Sequence, residues 1–66
     1  MGRAKYDWRG AESAVRIALV EIFAAQRHIA YGKRVNALNE LLAAEAEIAK
    51  ARRALEAGAG AVQEAR

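Results

Sequence analysis

Residues 37–65 read ALNELLAAEAEIAKARRALEAGAGAVQEA, and the reading of this stretch decides the fold. Ala37, Ala44, Ala51, Gly58 and Ala65 recur every seven residues, and four places after each of the first four stands a large aliphatic: Leu41, Ile48, Leu55 and Val62. A seven-residue repeat marks helices that pack along a shared seam. Because the small positions are all Ala or Gly, a facing helix can approach to the short end of the usual range of about 8–10 Å between axes. An alanine-rich helix standing alone would show some recurrence of Ala, but not large residues at a fixed offset from every small one. The stretch therefore predicts a partner helix.

The N-terminal half supplies one. Ala4, Ala11, Ala18, Ala25 and Gly32 form a second small column, with Trp8, Val15, Ile22 and Ile29 as its large column. From Gly32 to Ala37 the step is five residues, about 140° of excess rotation, so the two seams cannot share one face of a straight helix. The simplest solution turns the chain at Gly32, which has no side chain to oppose the left-handed conformation that ends many helices. The fold class expected is all-α: an antiparallel helical hairpin with an alanine seam, completed into a bundle by self-association or by a partner. The rival is a single helix of about 50 residues, roughly 75 Å long, that sets its two seams against two different neighbours.

Asp7 suits an N-cap for the first helix, which then begins near Trp8. Residues 1–6, with Arg3 and Lys5, read as a flexible basic segment, and residues 7–66 as the hairpin. The second helix is expected from about Lys33 to at least Ala57, with Glu47–Lys50 and Arg53–Glu56 as ordinary surface pairs. Gly58 and Gly60 would each cost about 1 kcal/mol inside it relative to Ala, so it either stops there or frays and resumes.

Composition limits the function classes. A chain of 66 residues with no Cys has neither disulfides nor a cysteine-built zinc site to support a small core, which leaves helix packing and self-association. There is no Pro, in keeping with long helices. The net charge of +3 is modest and its signs are interspersed, so nothing outside the first nine residues resembles a polybasic tail. The most apolar run, Ala14 to Ala25, is interrupted by Arg16 and Glu21, too short and too charged for a membrane span or a signal-peptide core. Tyr6 stands where a myristoylation signal wants Ser or Thr. These features imply no membrane span, no signal peptide, and a place in the cytoplasm or within a soluble assembly.

No motif names a chemistry. His28 is the only imidazole, and Ala25 stands where a ferritin-type ligand pair would need a Glu. Ser13 and Asp7 are the only residues of their kinds, so no hydrolytic triad is suggested, and Gly58-Ala59-Gly60 lacks the rest of a phosphate-binding loop. The expectation is no enzyme, no catalytic residue, no metal and no cofactor. Arg9, Arg16 and Arg27 fall within about 20° of one another around the first helix and could track phosphates, although such a stripe also serves to keep an alanine-rich helix in solution. Tyr6, Trp8, Phe23 and Tyr31 do not interleave with the basic residues, so no base-stacking platform is indicated.

In size and in its alanine-seamed hairpin the chain resembles the small plasmid RNA-binding regulators that dimerise into four-helix bundles, with no residue motif in common. Ala24-Ala25-Gln26 and Leu55-Glu56-Ala57-Gly58 are similar to the coiled-coil helices of outer-membrane efflux channels, a family whose signal peptide and β-strands this sequence lacks. Neither resemblance assigns a functional residue.

The expected function is that of a small structural or interaction protein, a hairpin subunit that self-associates or docks into a larger assembly such as a virion or another multi-subunit complex. The alternative is a dimeric nucleic-acid-binding regulator using the Arg stripe. The helix-packing seam is assigned to Trp8, Ala11, Val15, Ala18, Ile22, Ala25, Ile29, Ala37, Leu41, Ala44, Ile48, Ala51 and Leu55. A second set of apolar rows, Ile17, Val20, Ala24 and Tyr31 with Val35, Leu38 and Leu42, is expected to meet in the half nearest the turn and to bind the partner.

Overall fold

The structure, a computed structural model, describes residues 6–64, with side chains described up to residue 56. The expectations for residues 1–5 and for the side chains of Val62 and Ala65 lie outside the described residues. Helix α1 spans Trp8–Ala30 and helix α2 spans Arg34–Glu64. They pack against each other as a hairpin, and the single long helix is excluded.

Local chemistry sets each end. Asp7 caps α1: its Oδ1 accepts from the Gly10 amide at 2.9 Å, one of the four donors that a helix start leaves without an intrahelical partner. The C-terminus closes with two nested bonds, Lys33 N–H to the His28 carbonyl at 2.7 Å and Gly32 N–H to the Ile29 carbonyl at 3.0 Å. That pairing is the Schellman arrangement, which needs a left-handed residue, and Gly32 supplies it at φ 71°. The chain reverses within three residues, and the first helix hands directly to the second. Arg27 and His28 in the last turn of α1 complement the negative end of its dipole.

Helix α2 passes through Gly58 and Gly60 to Glu64 without a break. Two glycines weaken a helix but do not clash with it, and no Pro removes a donor. Glu47 pairs with Lys50 at 3.2 Å as the spacing predicts. Glu56, however, lies 3.9 Å from Arg52, four residues before it, rather than pairing with Arg53, which lines a depression with Asp7 and Lys50.

Two backbone contacts at opposite ends fix the register. Asp7 N–H donates to the Ala54 carbonyl at 3.2 Å at the open end, and Lys33 donates to His28 at the turn. Counting seven residues forward on α1 and seven back on α2 leads from the first pair to Ala14 opposite Glu47, Glu21 opposite Glu40, and His28 opposite Lys33, which is the second pair. The register is therefore continuous. It sets Ala11, Ala18 and Ala25 within one residue of level with Ala51, Ala44 and Ala37.

The core consists of alanine. Ala11, Ala14, Ala18, Ala25, Ala37, Ala44 and Ala51 are 1–6% exposed, and no larger side chain is buried among the described residues. Ala14 lies outside the small column read from the sequence. It belongs to a parallel row, Asp7, Ala14, Glu21 and His28, whose charged members mask its repeat.

Candidate interaction surface

The alanine column divides the hairpin into two faces, because the next rows of side chains fall to either side of it. At about 100° per residue, Val15 and Ile22 lie roughly 50° to one side of Ala18, while Ala14 and Glu21 lie roughly 50° to the other. The same offsets around Ala44 put Leu41 and Ile48 on one side and Glu40 and Glu47 on the other. Antiparallel packing brings like sides together. A shallow groove lined by Ile29, Ala37, Leu38 and Leu41 shows the large columns of both helices on one face. On the opposite face a depression is lined by Asp7, Gly10, Lys50, Arg53 and Ala54, and His28 Nε2 reaches Glu40 Oε2 at 3.8 Å.

The polar face is ordinary. Glu21, Glu40 and Glu47 on it are half-buried, and one oxygen of Glu21 and one of Glu47 are shielded from water with no hydrogen-bond partner. Among the described residues no group of acidic or imidazole side chains has the spacing to hold a metal ion.

The apolar face is the unusual one. Trp8, Val15, Ile22 and Ile29 from α1 and Leu41, Ile48 and Leu55 from α2 line this one side of the alanine column along its length, and they remain 38–62% exposed. Leu19 and Leu38 widen the strip. The two columns of the sequence repeat thus have separate roles: the alanines make the helix–helix contact, while the large residues border it and keep about half their surface in water. Burying the remainder of one such side chain would contribute on the order of 1 kcal/mol. Monomeric proteins rarely leave so continuous an apolar strip uncovered.

The apolar rows read from the sequence as a partner surface are not brought together. Leu38 joins the apolar face, but Val20 and Ala24 line a separate groove with Phe23, Arg27 and His28 on the outer side of α1. Ile17, Tyr31, Val35 and Leu42 are exposed at other points around the two helices. The rows share an end of the hairpin but not a face, since Val20 lies about 160° from its seam in one direction and Leu38 about 120° in the other. Leu19, absent from both sequence sets, stands on the strip because it lies one residue, about 100°, from Ala18.

The arginines are dispersed. Arg9, Arg16 and Arg27 follow the outer edge of α1, with Arg16 engaged by Glu12 at 3.3 Å; Arg53 lies on the outer edge of α2, and Arg34 and Arg52 border the apolar face. Among the described residues no helix is long and apolar enough to cross a membrane. No family model matches the chain, and neither a curated protein nor a solved structure is similar to it.

Proposed function

We propose that this chain is a small interaction subunit, whose hairpin presents one broad apolar face for burial in a larger helical assembly. The observation that carries the reading is the inverted core: the side chains that are buried are the smallest available, and those that could contribute most to burial lie in a half-exposed strip on one face. A 66-residue chain with an alanine core is short of the buried apolar area that stabilises a domain of its size. Covering the strip supplies that area.

The test is a pair of charges in the strip. Ile22→Glu with Ile48→Glu leaves the alanine contact intact but makes the face unsuitable for burial. The wild-type chain is expected to unfold at a temperature well above that of the variant. A wild type that is a stable monomer, unfolding at the same temperature as the variant, would falsify the reading.

Nucleic acid is the second reading, and the scattered arginines support it less. Binding to RNA or DNA that falls steeply between about 50 and 200 mM salt would revive it.

A further inference from the structure

We infer that the turn end of the hairpin docks on the anionic surface of a lipid bilayer, with Lys33 and Arg34 against the headgroups and Tyr31 and Val35 at the boundary with the acyl chains. The inference concerns the end of the molecule and does not rest on the reading of the apolar strip.

Charge is the first observation. Residues 22–39 hold three of the eleven Lys and Arg and none of the eight Asp and Glu, so the net charge of +3 belongs to this segment and the remainder of the chain is balanced. Arg27, Lys33 and Arg34 make no ion pair among the described residues, whereas Arg16, Lys50 and Arg52 each meet a glutamate elsewhere on the hairpin. His28, the fourth basic group, faces Glu40 on the polar flank. Helix stability does not call for the cations of the turn. Arg27 complements the C-terminal end of α1, but Lys33 and Arg34 stand at the start of α2, whose first turn has no acid, at the positive end of its dipole.

Shape is the second observation. Measured from the turn along the helix axes, Ile29, Tyr31, Val35 and Leu38 lie within about 8 Å, while the nearest acid, Glu40, is about 10 Å away. Tyr31 is 78% exposed and Val35 61%. Around the axes these side chains take different directions: Ile29 borders the alanine contact, Leu38 lies about 120° from it and Val35 about 180°. A folded partner or a nucleic-acid duplex meets one side of such a tip. A bilayer boundary surrounds it, and apolar groups enter that boundary to a depth of about 5–10 Å, which matches the apolar part of the tip. Tyrosine suits the position, since its ring is apolar while its hydroxyl stays among the headgroups. On the apolar side, the groove between Ile29, Leu38 and Leu41 is lined by Lys33 and Arg34 as well, which sets cations beside an apolar channel as an anionic amphiphile requires.

Vesicle flotation of the full chain tests the proposal. Phosphatidylcholine vesicles carrying about one-third phosphatidylglycerol are expected to bind it on the order of 100-fold more tightly than pure phosphatidylcholine, the preference that three cations give near an anionic surface. Equal recovery with both vesicles, or none with either, overturns it. Lys33→Gln with Arg34→Gln should weaken binding by about 25-fold. Arg52→Gln with Arg53→Gln removes the same charge about 28 Å along α2, beyond the screening length, and should leave binding within about 2-fold. Because cations are disfavoured at a helix start, the first pair of changes keeps the fold, which circular dichroism checks. Equal losses from the two pairs would reduce the attraction to net charge and overturn docking by the turn. Depth has its own readout. Trp8, at the open end, should keep its emission wavelength when vesicles are added, whereas Tyr31→Trp in a Trp8→Phe background should shift to the blue. A shift of Trp8 instead overturns the orientation. Tighter binding to duplex DNA, lost with the same Lys33 and Arg34 changes, would assign the cations to a phosphate backbone and overturn the lipid surface.

Discussion

On one side of the alanine column stand Trp8, Val15, Ile22 and Ile29 with Leu41, Ile48 and Leu55; on the other stand Asp7, Ala14, Glu21 and His28 with Glu40, Glu47 and Ala54. Both rows are set by the same seven-residue spacing and flank the same contact at similar angles, so backbone geometry treats them alike. Their side chains differ in what water does for them. A carboxylate at the edge of a close helix pair can turn its outer oxygen to solvent, and Lys50 can meet that of Glu47, so the polar flank is complete in the isolated hairpin apart from two shielded oxygens. An isoleucine at the mirror position cannot be satisfied in this way: the helices stand so close over alanine that it cannot fold into the gap between them. The close approach that makes the hairpin is what expels its large residues to one face.

The strongest challenge to that comparison is to widen the gap. Ala44 is buried to 2% exposure at the centre of the column. Ala44→Leu inserts three heavy atoms where the opposite helix lies, and overpacking of this kind costs about 1–3 kcal/mol. For a domain of this size each kcal/mol shifts the melting temperature by roughly 4–8 °C. Thermal unfolding followed by circular dichroism should show a fall of about 10 °C. An unchanged melting temperature would mean that the helices already stand far enough apart to admit leucine, and the explanation for the exposed strip would go with it.

A smaller effect, of opposite sign, is expected on the polar flank. Glu21 Oε1 is out of water and without a partner, a condition that costs about 1–3 kcal/mol for a typical buried polar group and less for one as near the surface as this. Glu21→Leu removes it, and should raise the melting temperature by a few degrees while giving the hairpin an apolar residue on its second face. Light scattering is then expected to show association beyond that of the wild type. If stability falls instead, the carboxylate has a favourable role that the hairpin geometry does not show, and the two flanks are not the simple opposites described here.

The sequence shows the contact clearly and the faces poorly. The alanine column, the turn at Gly32 and the cap at Asp7 could all be read, because each depends on spacing or on the backbone preferences of a single residue. The division of labour between the two columns could not. A heptad count treats a small and a large position as equal members of one seam, and only the distance between helices decides whether the large one enters it. The apolar rows grouped from the sequence share an end of the hairpin but not a face, for a related reason: the rotations of Val20 and Leu38 around two antiparallel helices cannot be compared until the register is known. Ala14 was hidden by charged neighbours in its row. No count of periods reveals that Glu21 and Glu47 take positions equivalent to a buried alanine.

The smallest expected effect asks whether the open end of the polar flank is held by packing or by capping alone. Gly10 sits in the first turn of α1, and a Cβ built there would collide with the Asp7 carboxylate that accepts from its amide. Gly10→Ala therefore gains about 1 kcal/mol in helix propensity and loses about as much by displacing the cap. The net change should stay within about 0.5 kcal/mol. Asp7→Ala alone should cost about 1 kcal/mol, since the Asp7 backbone bond to Ala54 survives while the side-chain bond is lost. Once the carboxylate is gone, nothing opposes the new methyl group. In the Asp7→Ala background the glycine replacement should therefore stabilise by about 1 kcal/mol, giving a coupling of that size between two adjacent sites. Denaturant unfolding of the four chains measures it. Additive changes would show that the cap relaxes around the methyl group, and that the Asp7 carboxylate contributes little to fixing the end of α1 against α2.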